Sequence, residues 1–244
     1  MDRIDDDRMA FSLTLRALGY ALSYPDAQWR VHLDEVRGAL RASPGVLDAA
    51  RLAQLDALLD EIGRADPLDA EAAYVELFDR GRGTALHLFE HVHGDSRERG
   101  PAMLDLIATY EQAGLRMRAG ELPDHLTVLL EYASTQPREA AIALLGEVSH
   151  ILRRIDGAVR KRGSAYVAVT GALLELTGQR AGETEPVLEP DADLDETWQE
   201  PAAFDGCGNA GQQGAEHSQP VRIVRRAPAA DSHAAQSAAQ GARA

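Results

Sequence analysis

The chain has 244 residues and a formal net charge of −14 at pH 7; hydrophobic residues make up 45% of it and aromatic residues only 5%. So acidic a chain repels phosphate backbones, which argues against a nucleic-acid partner and favours basic partners. Its single cysteine, Cys207, rules out an internal disulfide framework and fits a reducing compartment.

Helical spacing of apolar residues, followed by a Gly or Pro stop, recurs along the first ~180 residues. Asp66-Pro67 is predicted to open a helix as N-cap and first-turn proline, and Pro101, Pro123 and Pro137 are predicted to open three more. The helix that follows Pro137 is predicted to be the longest. In all, the spacing predicts eight helices, near residues 11–22, 29–40, 52–62, 67–78, 101–110, 124–130, 137–159 and, after a cap at Ser164, 165–178.

No alternating apolar run of strand length occurs, and a composition rich in Leu and Ala favours helix over sheet. We therefore expect a single all-α, helical-bundle domain of about eight helices at residues 1–180. Residues 181–244 are poor in large apolar side chains, which predicts a low-complexity, disordered tail. Two islands in it, LDETWQEPAAF (194–204) and VRIVRR (221–226), are either docking segments or chance composition.

The first residues, MDRIDDDRMAF, place three consecutive aspartates where a secretory signal needs positive charge. No window approaches ~18 uninterrupted apolar residues, the length of a membrane-spanning helix. The sequence therefore predicts a cytoplasmic protein that does not insert into a membrane.

Residues 87–91, HLFEH, fit H-x-x-E-H, the inverted zinc-protease motif. If residues 84–93 were helical, His87 and His91 would share one face and Glu90 could act as the base, with a third ligand from elsewhere. Glycines at 81, 83 and 94 limit such a helix to about ten residues, and short motifs arise by chance. A zinc-dependent hydrolase is therefore one alternative function.

Charged residues and histidines crowd the segment between residues 79 and 99. They either satisfy one another in a salt-bridged loop or form a polar recognition surface beside the apolar residues Leu86, Leu88, Phe89 and Val92. A surface of the second kind suits a peptide helix with one apolar face. A generic helical adaptor is the second alternative function.

Two runs carry a family resemblance. Residues 74–103, YVELFDRGRGTALHLFEHVHGDSRERGPAM, closely resemble the NarJ-type chaperones of respiratory nitrate reductase. Residues 121–134, ELPDHLTVLLEYAS, resemble the E-x-P-D-H-x-x-x-x-L-E-[FY] signature of the wider TorD-like redox-enzyme chaperone family, with Leu122 where many relatives carry proline. Together with the helix count, the resemblance covers about residues 5–180, and the island at 194–204 is similar to a W-x-E-P piece in tails of this family.

The resemblance implies an all-helical cytoplasmic chaperone with no catalytic activity and no cofactor of its own. Such chaperones bind the N-terminal segment of the nitrate reductase catalytic (α) subunit and assist insertion of molybdenum cofactor into that subunit. They also delay its docking on the membrane subunit and are absent from the finished enzyme. The α–β complex is a further candidate partner, and we expect a monomer. Because the family is not known for zinc chemistry, the H-x-x-E-H match is interpreted as accidental.

The resemblance also assigns a partner-binding site by position. Tyr74, Phe78 and Phe89 are expected to bury the apolar face of a basic peptide, while charged residues orient it. Asp124 either binds the partner or caps the helix that follows it, and His125 either donates to a peptide carbonyl or is buried between helices. The predicted binding residues are Tyr74, Phe78, Asp79, Arg80, Arg82, His87, Phe89, Glu90, His91, His93, Glu121, Asp124, His125, Glu131 and Tyr132.

Overall fold

The computed structural model of the chain describes residues 3–94 and 96–178, and these residues form α-helices joined by short connections, with no strand among them. This confirms the all-α prediction. None of the helices in these two ranges is long and apolar enough to cross a membrane. The predicted tail at 181–244, with both islands and Cys207, lies outside the described residues.

The helices are α1 (Arg3–Ala21), α2 (Ala27–Val31), α3 (Leu33–Arg41), α4 (Ala49–Arg64), α5 (Pro67–Phe78), α6 (Leu88–Val92), α7 (Arg99–Gln112), α8 (Leu126–Thr135), α9 (Arg138–Glu147), α10 (Ser149–Lys161) and α11 (Val167–Leu176), with a 3-10 turn at Arg82–Thr84.

Within residues 3–94 and 96–178, the eight predicted helices become eleven because two of them break and one was not predicted. The second breaks at His32 (φ −96°, ψ 6°) and the seventh at Val148 (φ −91°, ψ 4°). Both residues lie in the bridge region of backbone space, and neither is Gly or Pro, so no stop signal marks either break. Among the described helices the longest is consequently α1, with 19 residues, rather than the one after Pro137. The extra helix is α6, which lies between the fourth and fifth predicted helices.

Helix starts follow the predicted chemistry in some places and not in others. Asp66 caps α5 as predicted, since its carboxylate accepts from the Leu68 N–H at 2.9 Å and Pro67 is the first helical residue. By contrast, α7 begins two residues before Pro101, and α8 begins three residues after Pro123. Ser164 does not cap α11 directly, because Tyr166 holds the N-cap position there.

The core is built around α11, eight of whose ten residues are buried. A helix that is apolar on all sides must be surrounded, and α11 packs against α1, α4, α9 and α10. The first helix, α1, lies against α8, where a side chain added at Gly19 would meet the Leu130 Cβ at 3.4 Å. This close approach fixes the position of α8, and with it the residues that precede α8 in the chain.

Candidate functional site

The two signature runs meet in space at a short backbone pairing. His87 and His125 form an isolated antiparallel bridge. Around it, the Leu88 N–H donates to the Asp124 carbonyl at 3.0 Å and the Leu126 N–H donates to the Leu86 carbonyl at 2.8 Å. The segment that enters α6 is thereby held against the segment that enters α8.

Asp124 lies at the centre of this meeting point and is 0% exposed. Its Oδ1 accepts from His87 Nδ1 at 3.3 Å, and its Oδ2 accepts from the Phe89 N–H at 3.2 Å. The guanidinium of Arg99, the first residue of α7, lies 3.5 Å from the same Oδ2. Because Leu88 and Phe89 open α6, Asp124 satisfies the first two free N–H groups of that helix. Asp124 therefore caps α6 rather than α8, which corrects the expectation that it caps the helix following it.

The charges of this cluster reinforce one another. Burial disfavours the ionised form of Asp124, but the hydrogen bond and charge of His87, the Phe89 N–H and Arg99 outweigh it and hold the pKa of Asp124 below its usual value. In turn, the hydrogen bond to Asp124 raises the pKa of His87 against an opposing effect of burial. We call His87, Phe89, Arg99, Asp124 and His125 the signature junction.

His125 is the N-cap residue of α8. Its Nδ1 accepts from the Thr127 N–H at 3.4 Å and lies 2.6 Å from the Thr127 hydroxyl. Its ring meets the His87 ring edge-on, with 4.8 Å between centroids. Burial, followed by the neighbouring His87 charge, lowers the pKa of His125 to about 4. His125 is therefore neutral at pH 7 and carries its proton on Nε2, the nitrogen that does not accept at the cap.

The arrangement of HLFEH does not meet the geometric requirement of the zinc hypothesis. His87 precedes α6 and turns its Nδ1 toward Asp124, so it does not share a helical face with His91. His91 Nε2 donates to the Ala85 carbonyl at 2.8 Å, and burial lowers the pKa of His91. Within residues 3–94 and 96–178, no group of three His, Cys, Asp or Glu side chains is placed to hold a metal ion.

Comparison with known proteins places the chain in a family. The model of the family described as "nitrate reductase delta subunit" matches residues 46–170. The nitrate reductase molybdenum cofactor assembly chaperone NarJ of Escherichia coli K12 is 41% identical over 202 residues, which cover 78% of this chain and 85% of NarJ. This chain belongs to the nitrate reductase delta subunit family. The resemblance found in the two signature runs is therefore confirmed.

Two further matches agree with this family membership. The probable nitrate reductase molybdenum cofactor assembly chaperone NarW of Escherichia coli K12 is 36% identical over 195 residues, covering 76% of this chain and 80% of NarW. The crystal structure of a protein described as a redox enzyme maturation protein from Archaeoglobus fulgidus has a TM-score of 0.51 and 20% identity, covering 69% of this chain and 94% of that one. At 20% identity, this structural match supports the fold alone.

Family signature residues outside the junction occupy two different environments. Tyr74 and Phe78 are only 6% and 3% exposed, and they pack with Tyr166 in an aromatic core cluster. In this conformation they support the fold and expose little surface to a partner, and their direct contact with the peptide stays a prediction. The exposed or half-buried members are Asp79, Arg80 (paired with Glu76 at 2.9 Å), Arg82, Glu90, His91, His93, Glu121, Glu131 (paired with Arg16 at 3.3 Å) and Tyr132.

The signature patterns missed two residues that the structure adds to the site, Arg99 and Tyr110. Arg99 connects the buried Asp124 to the half-buried Glu90, since its guanidinium also lies 3.7 Å from the Glu90 carboxylate. Tyr110 is the buried residue of α7, and its hydroxyl donates to the Pro123 carbonyl at 2.9 Å. The other face of α7 carries Leu104, which is 67% exposed. Arg99 lay within the charged segment, but nothing in the local pattern indicated that it reaches Asp124.

Changing Tyr110 to Phe is expected to lower the free energy of unfolding by about 1–2 kcal/mol, because the Pro123 carbonyl then loses its buried donor. Urea denaturation of the wild type and the variant measures the difference. Tyr132→Phe is the matched control: its ring packs on Tyr110 at 4.9 Å, and its hydroxyl makes no hydrogen bond within the described residues. Equal losses in the two variants would contradict an anchoring role for the Tyr110 hydroxyl.

Proposed function

We propose that this chain is an assembly chaperone for respiratory nitrate reductase. It binds the N-terminal segment of the catalytic (α) subunit, assists insertion of molybdenum cofactor into that subunit and holds back its premature docking on the membrane. It acts in the cytoplasm as a monomer, carries no cofactor of its own, catalyses no reaction and is absent from the finished enzyme. The observation that carries the proposal is the 41% identity to a molybdenum cofactor assembly chaperone over most of both chains.

Charge attracts the peptide in this proposal, while apolar burial supplies most of the binding free energy. With a net charge of −14, the chain attracts a basic peptide, but exposed ion pairs contribute only ~0.2–1 kcal/mol each. Micromolar affinity requires about 8 kcal/mol, so the larger part has to come from apolar contact. Tyr74 and Phe78 are buried in this conformation. The described apolar residues that can contribute to this contact include the half-buried Phe89 and the exposed Val92 and Leu122.

The junction gives this surface a fixed shape. Asp124 holds the first turn of α6 from one side, and on the other the Arg154 guanidinium of α10 donates to the His91 carbonyl at 3.2 Å. A five-residue helix is too short to persist alone, so these tertiary contacts keep Phe89, Glu90 and His93 in place. A preformed surface loses less conformational entropy when a peptide binds.

The direct test is calorimetric titration of the purified full chain with a synthetic peptide of the cognate α-subunit N-terminus, with a metal assay on the same sample. A chaperone of this specificity binds the cognate peptide in the micromolar range or tighter and rejects a scrambled peptide of equal composition. Equal binding of both peptides would make the chain a generic helical adaptor. No binding, together with one zinc per chain, would instead support the hydrolase.

Replacing both Arg80 and Arg82 with Ala is expected to weaken peptide binding about tenfold, since both are predicted binding residues at the start of the 3-10 turn. Stability should change little because both side chains are exposed and the Arg80–Glu76 pair is a surface pair. The control replaces Arg41 and Arg116, two other exposed arginines. Calorimetry measures affinity, and far-ultraviolet circular dichroism measures helix content. If the Arg80/Arg82 variant lost its helix content, the two arginines would be needed for folding, and their role in peptide binding would be contradicted.

A further inference from the structure

An open groove is lined by α4, α5 and the connection between α10 and α11. Its volume is about 380 Å³, within the range of ligand sites in proteins. Buried apolar side chains form its floor, and small side chains beside them keep the groove open. The floor residues are Leu58, Ile62, Leu77 and Tyr166, and the small lining residues are Ala65, Ala70, Ala73 and Ala165.

The rim of the groove is acidic. Glu61 of α4 and Asp69 and Glu76 of α5 line it, and all three are exposed. Among the described residues, no ion pair engages the carboxylate of Glu61 or Asp69. Arg162 is the one cation among the described lining residues, and its guanidinium already donates to the Glu76 carbonyl at 2.9 Å. The rim therefore carries negative charge that a cationic partner can neutralise.

An apolar floor beneath carboxylates suits a helix whose apolar face is flanked by basic residues. We propose that the groove binds the basic N-terminal segment of the nitrate reductase α subunit as such a helix, with its apolar face on the floor and its basic residues at the rim. The identity of the partner rests on the proposed function. The groove itself is a surface distinct from the signature junction, none of whose residues is among those described as lining it.

The spacing of the rim carboxylates determines what the partner has to carry. Asp69 and Glu76 are two turns apart on one face of α5, which places them about 10 Å apart along the helix axis. A partner helix that lies along α5 therefore meets both carboxylates with basic residues about two turns apart. Ala73 lies between the two, and its small side chain permits close approach. Glu61 offers a third contact from α4.

The groove adjoins residues of the first signature run. The Glu76 carboxylate pairs with Arg80 at 2.9 Å, and Arg80 lies just before the 3-10 turn. On the floor, the Tyr166 ring packs edge-on against the rings of Tyr74 and Phe78. These two signature aromatics therefore hold a residue of the groove floor in place from inside the core, which connects the signature run to the groove although both rings are buried.

The first experiment locates the bound peptide on the full chain. A synthetic peptide of the cognate α-subunit N-terminus carries the photo-cross-linker benzoylphenylalanine in its apolar face, and mass spectrometry maps the products. We expect cross-links to fragments that contain residues 58–77. Cross-links confined to other parts of the chain would overturn the groove assignment and leave the proposed function standing, because the peptide would still have bound. No binding of the peptide in calorimetric titration would overturn both.

A matched pair of variants tests the space inside the groove. Ala73→Trp fills it and should weaken the calorimetric affinity for the peptide about tenfold. Ala72→Trp, at the adjacent exposed position of α5 outside the groove, should leave the affinity unchanged. Equal affinities of the two variants would contradict docking in the groove. A wild type that is dimeric by light scattering, and that Ala73→Trp makes monomeric, would instead assign the groove to a second copy of this chain.

A second pair of variants tests the charge of the rim. Glu61→Lys combined with Asp69→Lys should weaken peptide binding about tenfold and reduce its dependence on salt. The control, Asp34→Lys combined with Glu139→Lys, changes the net charge by the same amount at exposed positions outside the groove, and it should have little effect. Equal losses in the two double variants would show that net charge alone attracts the peptide and would overturn the role of the rim.

Discussion

Asp124→Ala is expected to lower the free energy of unfolding by about 3–5 kcal/mol, because it removes one partner of a buried ion cluster. The Phe89 N–H loses its acceptor, and the Arg99 guanidinium keeps only the more distant Glu90 carboxylate. The His87 ring loses the carboxylate that raises its pKa. Peptide binding should fall with stability, since α6 loses its cap. Asp124→Asn keeps an acceptor but not the charge, so its loss should be intermediate.

Urea denaturation at pH 7 measures these losses, with m-values compared to verify two-state unfolding. Asp105→Ala is the matched control, because Asp105 is an exposed carboxylate on α7, the helix that also carries Arg99. A change below about 0.5 kcal/mol is expected for the control. If Asp124→Ala lowered the free energy of unfolding by no more than the control does, the signature junction would contribute little to stability and could not hold α6 in place.

Local signals in the sequence predicted what local chemistry determines. The apolar spacing in α1, α4 and α5 recurs as buried stripes, and the Asp66-Pro67 start of α5 needs only two adjacent residues to form. The family resemblance rests on two contiguous runs of residues, so it is recognisable without knowing which residues meet in space. Each of these features is specified within a few residues along the chain.

The missed features depend on contacts between distant parts of the chain. Asp124 and Phe89 are 35 residues apart, and no local spacing indicates that a carboxylate before α8 caps α6. The break at Val148 comes without a Gly or Pro signal and lets α9 and α10 both pack against α11. Tyr74 shows the same dependence on distant contacts, since its hydroxyl donates to the Leu22 carbonyl at 2.7 Å inside the core, a partner 52 residues away that no local spacing indicates.

Acid is expected to remove about 2 kcal/mol of stability through His125 between pH 7.5 and pH 5. Its pKa of about 4 in the folded chain lies below the value near 6.5 of an unfolded chain, because burial and the charge of His87 disfavour the imidazolium. A lowered histidine pKa contributes stability that is complete above pH 6.5 and is lost as the pH falls toward 4. His87 acts in the opposite direction: its raised pKa stabilises the fold at low pH, and this contribution is lost as the pH rises through the folded pKa.

Comparison with His125→Asn isolates the His125 contribution from that of His87. Asparagine is a favourable N-cap residue, so the variant retains an acceptor for the Thr127 N–H and removes the titrating ring. Its free energy of unfolding should fall about 2 kcal/mol less than that of the wild type between pH 7.5 and pH 5. His150→Asn, at an exposed position on α10, should follow the wild type. Parallel pH profiles for the wild type and His125→Asn would show that the His125 ring takes up a proton in the folded chain as readily as in the unfolded one, which a desolvated ring between His87 and Thr127 cannot do.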